Sequence, residues 1–323
     1  MTDQRKEPTE MLVLDMTTAD PIAVRGPVVF EAPSRNQWWN CWDEFKTHKG
    51  ALAGAAVFFL MVVSVLFGPY VWRVSPAYID FTAMNGGPTW THPFGTDELG
   101  RDLLARMMTG GRISIAVGVT AMIISIFVGT LIGVLAGYFK SLDGPLMRLT
   151  DLFLALPVLP LLLVTAMLLQ ETLMNILGPA MGNFILIVSA IGMTSWMQAA
   201  RIVRGEVMTI TQREFVLASR SIGTAPRRII LRHVLPNIMS PVIVSATLGI
   251  ATAIISESVL SFLGLGFPPD FPTWGRLLYD GVDHMQIYPQ LVLLPGTAIS
   301  LTVLSVNYIG DGLRDALDPR LRQ

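Results

Sequence analysis

Ten residues in the second half of this 323-residue chain indicate its architecture: Glu214-Phe215-Val216-Leu217-Ala218-Ser219-Arg220-Ser221-Ile222-Gly223. Apolar and small residues recur there at the spacing of one helical face, namely Phe215, Ala218, Ser219 and Ile222. Thr211 and Glu214 fit a capping box at the start of this helix, and Gly223 can supply the left-handed residue that ends it. The stretch predicts a helical arm of about eleven residues, roughly 16 Å long.

A second short helix is predicted after the glycine, over residues 225–235. Pro226 lies in its first turn, where a missing N–H is tolerated, and Pro236 is expected to end it. The connection that carries both helices is rich in arginine: Arg201, Arg204, Arg213, Arg220, Arg227, Arg228 and Arg232. We interpret it as a rigid, basic arm outside the membrane, suited to receiving force from a soluble partner.

The composition places this arm on a membrane protein. Hydrophobic residues make up 52% of the chain and charged residues 15%, and the mean hydropathy is +0.54. Soluble proteins carry about 25% charged residues, so this chain cannot solvate its own surface and a soluble enzyme is excluded. A net charge of −1 argues against nucleic acid as a partner. The single cysteine, Cys41, excludes a disulfide framework.

A helix needs about 20 consecutive apolar residues to cross the hydrocarbon core. Six segments qualify or nearly qualify: 50–72, 113–139, 152–169, 184–197, 242–263 and 291–309. The fourth is short and contains Ser189, Thr194 and Ser195, which indicates that it faces other helices rather than lipid. The predicted fold class is an all-α membrane protein with six transmembrane helices.

The 23 Lys and Arg residues all fall outside these six segments and indicate the orientation. Most lie in the amino-terminal tail, the second and fourth connections and the carboxyl tail. The exceptions are Arg73, Arg101, Arg106, Arg112 and Arg276. Because positive charge concentrates on the cytoplasmic side, both termini are predicted to be cytoplasmic.

The first external connection contains two acid–base pairs at a spacing of four residues, Asp97–Arg101 and Asp102–Arg106. Opposite charges at this spacing meet on one face of a helix, and Thr96 can cap its start. We predict an amphipathic helix over residues 96–108 at the outer surface. An ordinary solvated loop is the alternative.

The second predicted span carries Gly129, Gly133 and Gly137. Glycines four residues apart clear one helix face, so a neighbouring backbone can approach closely. The pattern predicts a tightly packed helix pair.

One acid, Glu257, lies well inside a predicted span. An ionisable group there is costly and rarely faces lipid. Two interpretations stay open: an acid satisfied by neighbouring serines and backbone amides, or a residue of the translocation pathway or outer gate. The candidate pathway residues are Ser256, Glu257, Ser258 and Ser261.

The predicted organisation has five parts. Residues 1–49 form a cytoplasmic leader, with no fold predicted for 1–33 and with Trp38, Trp39 and Trp42 expected at the membrane interface. The other parts are a transmembrane helix over 50–72, an external loop over 73–112, a five-helix core over 113–310 that includes the arm at 205–237, and a cytoplasmic tail over 311–323.

The arm resembles the EAA loop of bacterial ABC-importer permeases, whose pattern is E-A-A, three residues, G, nine residues, I-x-L-P. Ala218, Gly223, Leu235 and Pro236 fall in register with it. This sequence departs from the pattern at Leu217, Ser219 and His233, which replace Glu, Ala and Ile. These departures are typical of the dipeptide/oligopeptide/nickel permease branch.

Two more stretches resemble the C-type subunits of that branch. One runs from His92 to Asp102, before the second span, and the other from Glu257 to Gly266, followed by Trp274-Gly275. The resemblance covers the chain from Trp39 to its carboxyl end and implies a type I ABC importer permease fold in the bacterial cytoplasmic membrane.

The resemblance also implies function and partners. A permease of this family pairs with a second homologous permease and with two cytoplasmic ATPases that use ATP and Mg, while an external solute-binding protein, periplasmic or lipid-anchored, delivers dipeptides or oligopeptides. The coupling residues that it implies are Glu214, Phe215, Ala218, Ser219, Arg220, Gly223, Leu235 and Pro236. This chain then has no catalytic residue and binds no cofactor or metal.

An independent observation supports a separate energy source. A phosphate-binding P-loop requires a lysine after a glycine, and none of the four lysines, Lys6, Lys46, Lys49 and Lys140, follows one. The energy must come from another chain or from an ion gradient. A proton-coupled secondary transporter that uses Glu257 is therefore the alternative function.

Overall fold

A computed structural model describes residues 12–14, 21–23 and 37–317, with side chains from Cys41 onward. The chain divides into two units, residues 1–40 and 41–323. In the first unit, strands β1 (Leu12–Leu14) and β2 (Pro21–Ala23) pair antiparallel. No fold was predicted there, because strands of three residues are too short to show alternation. The side chains of Trp38 and Trp39 and residues 318–323 lie outside the described residues.

Between residues 37 and 317 the long secondary-structure elements are helices, joined by irregular segments such as residues 73–102. The helices are α1 (Gln37–Thr47), α2 (Lys49–Val71), α3 (Leu103–Tyr138), α4 (Lys140–Ala155), α5 (Val158–Leu177), α6 (Pro179–Thr211), α7 (Glu214–Ser221), α8 (Pro226–Ile229), α9 (Leu235–Phe262), α10 (Trp274–Val282) and α11 (Gln290–Leu317). In this part of the chain six helical segments are long and apolar enough to cross a membrane: α2, α3, α5, α6, α8 with α9, and α11. The predicted six-span fold class is confirmed.

The fourth span differs most from its prediction. It was expected to be short, but α6 runs over 33 residues, Pro179–Thr211. Its hydroxyl groups are satisfied within the helix, because Ser189 donates to Leu186 O (3.0 Å) and Thr194 to Ala190 O (2.9 Å). Polar residues therefore interrupt the apolar run without interrupting the helix.

The first and last spans meet at one end of the bundle. Ala51, at the start of α2, packs with Phe45, Ala316 and Leu317 in one buried cluster. His48 caps α2, since its Nδ1 accepts from Ala51 N–H at 3.0 Å. The two ends of the membrane unit therefore lie on the same side, as an even number of spans requires.

The predicted glycine face on α3 packs against α6. A Cβ built on Gly129 would lie 2.6 Å from the Ala199 side chain, and one on Gly133 would lie 2.6 Å from Ala200 O. Gly137 is as tight, with 2.8 Å to Val207 Cβ. No side chain fits at these separations, so the prediction of a close helix pair is confirmed.

Near the opposite end, α3 supports a proline in α2. Pro69 has no N–H, so it leaves Val65 O without its helical donor. Arg112 on α3 replaces it: Nε donates to Val65 O at 2.5 Å, and a second guanidinium nitrogen donates to Leu66 O. A neighbouring side chain thus satisfies the backbone group that a proline frees, as a bilayer environment requires.

We expect Arg112→Leu to destabilise the protein by about 1–3 kcal/mol, because Val65 O is left unpaired. In a Pro69→Ala background the restored backbone N–H can donate to Val65 O, so the same substitution should cost clearly less. Thermal unfolding of the four purified proteins measures this coupling. Equal losses in both backgrounds would show that Arg112 has no link to the proline.

The amphipathic helix predicted over 96–108 is wrong in its first half. Residues 96–102 form a loop, closed by a bridge between Thr96 and Asp102, and α3 begins only at Leu103. Asp102, rather than Thr96, caps the helix by accepting from Ala105 N–H at 2.7 Å. Gly100 has a φ of +76°, which a regular helix cannot contain.

Candidate functional site

Helix α7, the first short helix of the arm, is anchored to the bundle by a buried side chain. Val216 of α7 is fully buried in a cluster with Val207 of α6, Ile229 of α8 and Ile238 of α9. Burying a valine from water contributes about 1.5–3 kcal/mol, and α7 lies outside the spanning segments, where that estimate applies. This contact fixes which face of α7 points away from the bundle.

The predicted capping box is absent. Arg213 precedes α7 without a capping side chain, and the Thr211 hydroxyl donates back to Met208 O at 2.9 Å. Because α6 continues to Thr211, this residue is already helical and cannot cap the next helix. The arm is correspondingly shorter than predicted, with 8 residues in α7.

The predicted helix-ending glycine is present, and we call the turn at Gly223 between α7 and α8 the elbow. Gly223 has a φ of +78°, its N–H donates to Arg220 O at 3.0 Å, and Thr224 N–H donates to Ser219 O at 3.1 Å. These bonds close the last turn of α7 in the manner of a glycine C-cap. Ala225 and Pro226 then begin α8 in a new direction.

The prediction that Pro236 ends the second helix is wrong. A π-helical turn over Ile230–Val234 joins α8 to α9, and Leu235 N–H donates to Ile230 O, five residues back. The wider turn precedes Pro236, whose ring would clash with the carbonyl four residues back in a regular helix. The chain therefore continues as one span from α8 to Phe262. The Phe215 and His233 rings, 6.1 Å apart, hold α7 against this turn.

Three large apolar side chains of α7 and the following turn are exposed, beside the polar Glu214 and Ser221. The exposed fraction is 44% for Phe215, 48% for Leu217 and 82% for Ile222. Ala218 is exposed beside them, and the Ser219 hydroxyl is bonded to Phe215 O at 2.9 Å. Exposed apolar residues of this kind mark a surface for another protein.

The other residues of the predicted coupling set differ in their surroundings. Arg220 lies over the Tyr138 ring, with its guanidinium carbon 4.8 Å from the ring centre. Glu214 is exposed in the first turn of α7. Leu235 packs on the Val216 cluster and Pro236 is exposed at the start of α9. Six of the eight predicted coupling residues therefore lie on α7 and the turn that ends it, whereas Leu235 and Pro236 lie beyond the π-helical turn, at the start of α9.

The four candidate pathway residues lie on α9 but do not share an environment. Glu257 is fully buried, and the hydroxyls of Ser261 and Ser114 donate to it at 2.7 and 3.0 Å. Ser258 is buried on the same side, and its Oγ has no partner among the described residues. Ser256 instead donates to Thr252 O at 2.9 Å on a more exposed face.

Glu257 is connected through Ser114 to the short helix α10. Ser114 Oγ also accepts from Trp274 N–H at 3.3 Å, and the Trp274 indole donates to Met107 O at 3.1 Å. The acid therefore belongs to a network that joins α3, α9 and α10. This geometry favours the structural interpretation over an acid exposed to a pathway.

A second network at the same end was only half predicted. Arg106, with 1% of its side chain exposed, pairs with Asp97 and with Asp280 on α10 (3.2 Å to the latter). Arg101 and Arg276 pair with the same two carboxylates at 2.7 and 2.8 Å. The Asp97–Arg101 pair was expected on a helix and occurs in the loop. The expected Asp102–Arg106 pair is replaced by long-range partners.

Two family models match the chain, one on each side of residues 89–125. The model described as the binding-protein-dependent transport system inner membrane component matches residues 126–323, and that for the N-terminal TM domain of oligopeptide transport permease C matches residues 36–88. The chain belongs to this family of permeases. The predicted resemblance is confirmed.

Characterised relatives of this permease cover nearly all of it. It is 40% identical to a di/tripeptide transport system permease protein of Pseudomonas aeruginosa, over 87% of this chain and 91% of the relative. It is 38% identical to a glutathione transport system permease protein of Escherichia coli, over 92% and 95%. An oligopeptide transport system permease protein of Bacillus subtilis is 34% identical, over 90% and 92%.

A solved structure shows the same fold. A chain of the MetNI methionine ABC transporter, solved in inward-facing conformations, has a TM-score of 0.53 and 16% identity, and the match covers 65% of this permease and 94% of that chain. The permease is therefore a multi-pass inner-membrane component of an ABC importer, and the ATPase is a separate subunit.

We expect Glu257→Gln to keep the permease folded, because an amide can accept and donate in the same serine network. Glu257→Leu should destabilise it by about 1–3 kcal/mol, since the Ser114 and Ser261 hydroxyls lose their acceptor. Transport and unfolding of both variants test the role of the acid. Normal stability with abolished transport in the glutamine variant would assign Glu257 to the pathway instead.

Proposed function

We propose that this permease forms half of the translocation pathway of a peptide importer and is coupled to its ATPases through the arm at residues 205–237. The observation that carries the proposal is the seating of α7. Val216 fixes one face on the bundle, and Phe215 and Ile222 remain exposed. A short helix that presents exposed apolar side chains suits docking in a groove of a soluble subunit.

The assembly that we propose contains this chain, a second homologous permease, two ATPases that use ATP and Mg, and an external solute-binding protein. Both termini of this chain are cytoplasmic, on the side of the arm, which agrees with the distribution of Lys and Arg. Peptides are the proposed cargo because the relatives carry di/tripeptides, oligopeptides or glutathione by name.

A photo-crosslinking experiment tests the docking surface. A benzophenone side chain at Ile222 is expected to capture an ATPase subunit in the assembled transporter. The same group at Trp90, which is 99% exposed in the first external connection, is the matched control and should capture no ATPase. Crosslinks to an ATPase from Trp90 but not from Ile222 would refute both the docking surface and the orientation.

The cargo is tested separately. Mass spectrometry of the ligand retained by the cognate binding protein should find peptides, and uptake of the same peptides into proteoliposomes should require ATP inside. A retained metal chelate or sugar would refute the peptide assignment and leave the coupling proposal intact.

The proton-coupled alternative receives no support. The family assignment places the energy source in a separate ATPase, and Glu257 is enclosed by hydroxyl groups. Uptake that an uncoupler abolishes while ATP is maintained would be needed to revive it.

A further inference from the structure

A cavity lies beside the arm, on the side that faces the bundle. It has a volume of about 220 Å³, is open on one side, and is lined by the end of α3, the start of α4, the end of α6 and α7. Its polar lining consists of Tyr138, Lys140, Asp143, Thr211, Gln212 and Arg220. The volume is several times the roughly 30 Å³ of one water molecule in the liquid.

The charge of this cavity is positive. Neither Lys140 nor Arg220 has an acidic partner within 4.0 Å among the residues that the structure describes. The acid of the lining, Asp143, is already engaged: Arg204 holds both of its oxygens, at 2.5 and 2.7 Å. The hydrogen bond from Arg204 keeps the pKa of the Asp143 carboxyl below its usual range, so this carboxylate stays charged and paired. Two cations remain uncompensated.

The neutral groups of the lining add donors. Arg220 lies over the Tyr138 ring, and its guanidinium makes no hydrogen bond among the described residues, so its N–H groups are available as donors. The Tyr138 hydroxyl and the Gln212 amide make no side-chain hydrogen bond within the described part of the chain. An ammonium, a guanidinium edge, a phenol and an amide together form a set of donors suited to phosphate oxygens.

The sequence sets Lys140 apart. The other three lysines lie at or before the first residue of α2, and after Lys140 every basic residue of the Lys and Arg type is an arginine. We propose that Lys140 and Arg220 bind a phosphate-bearing anion in this cavity. The anion is either the headgroup of a lipid of the adjacent leaflet or a soluble phosphate compound.

The site has a consequence for coupling that rests on the proposed function. Arg220 belongs to α7, whereas Tyr138 and Lys140 belong to α3 and α4. A bound phosphate would connect α7 to α3 and α4 and would restrict movement of α7 relative to the bundle. Occupancy should therefore change the ATPase rate of the assembled transporter.

The lipid source is tested by native mass spectrometry of the assembled transporter in phosphatidylglycerol nanodiscs. We expect the wild type to retain phosphatidylglycerol, and the Lys140→Gln/Arg220→Gln double variant to retain at least about tenfold less, as loss of charged hydrogen bonds implies. Lys140→Arg should keep the lipid. Arg148→Gln, which removes an exposed cation of α4 outside the cavity, is the matched control and should also keep it.

The soluble source is tested by calorimetric titration of inorganic phosphate into the same proteins in phosphatidylcholine nanodiscs. Because ATPase subunits bind phosphate themselves, the relevant quantity is the difference between the wild type and the double variant. A difference in either experiment supports the site and identifies its source.

Equal lipid retention and equal heats in all variants would overturn the site. A loss with Arg148→Gln as large as that of the double variant would also overturn it, because general surface charge would then explain the binding. Failure of the proposed function is distinguishable, since it would appear as missing ATPase subunits in the wild-type preparation, whatever the anion binding.

Discussion

Gly223→Pro is expected to abolish ATP-driven uptake while the six spans stay folded. Gly223 has a φ of +78°, whereas proline is locked near −65°, and the substitution also removes the N–H that donates to Arg220 O. The backbone at residue 223 must therefore leave its native conformation, which costs about 3 kcal/mol or more of conformational free energy. Such a cost lowers the population of the correctly bent arm by more than about a hundredfold.

The control is Gly223→Asn. Asparagine tolerates the left-handed conformation, and no atom lies within 4 Å of a Cβ built at this position. This variant should therefore retain most of the uptake. Uptake, ATPase activity and co-purification with the ATPases are the measurements. A proline variant that transports normally would show that the bend does not transmit force.

Long apolar segments were predictable because their signal is local. Six spans follow from hydropathy, and the close α3–α6 pair follows from Gly129, Gly133 and Gly137. The role of Gly223 was predictable for the same reason, because a glycine directly after an amphipathic helical stretch commonly ends the helix. The eight coupling residues came from motif register, and six of them lie on α7 and the turn at Gly223.

Helix ends were not predictable, because each depends on what the neighbouring chain does. Thr211 has the residue type of a cap, yet α6 continues through it. Pro236 has the residue type of a stop, yet a π-helical turn over Ile230–Val234 accommodates it. In both cases tertiary packing on the Val216 cluster overrides the local preference.

The ion-pair network around Arg106 was missed because its partners are far apart in sequence. Arg106 and Asp280 are separated by 174 positions, so no spacing rule can pair them. The i to i+4 rule chose Asp102 instead, whose carboxylate is taken by Trp72 Nε1 at 3.0 Å and His92 Nδ1 at 2.8 Å. Spacing identified the charged residues here, and only the fold identified their partners.

The second large effect is expected at Arg106. Arg106→Met should destabilise the permease by about 3–5 kcal/mol, because it removes the charged hydrogen bonds to both Asp97 and Asp280 and leaves each carboxylate with one cation instead of two. Thermal unfolding of the purified permease measures this loss. Arg73→Met is the matched control: Arg73 is bonded only to Tyr70 O in an exposed position and should change stability by less than about 0.5 kcal/mol.

A compensating variant separates charge burial from packing. If the cost comes from the partly buried carboxylates that have lost a cation, adding Asp280→Asn to Arg106→Met should restore part of the stability, whereas lost packing would not be restored. Salt provides a further test, because a pair this deeply buried is weakly screened. The exposed Arg201–Asp151 pair should weaken as ionic strength rises. A loss at Arg106 that disappears in high salt would mean that the network is solvated and does not hold α10 to α3.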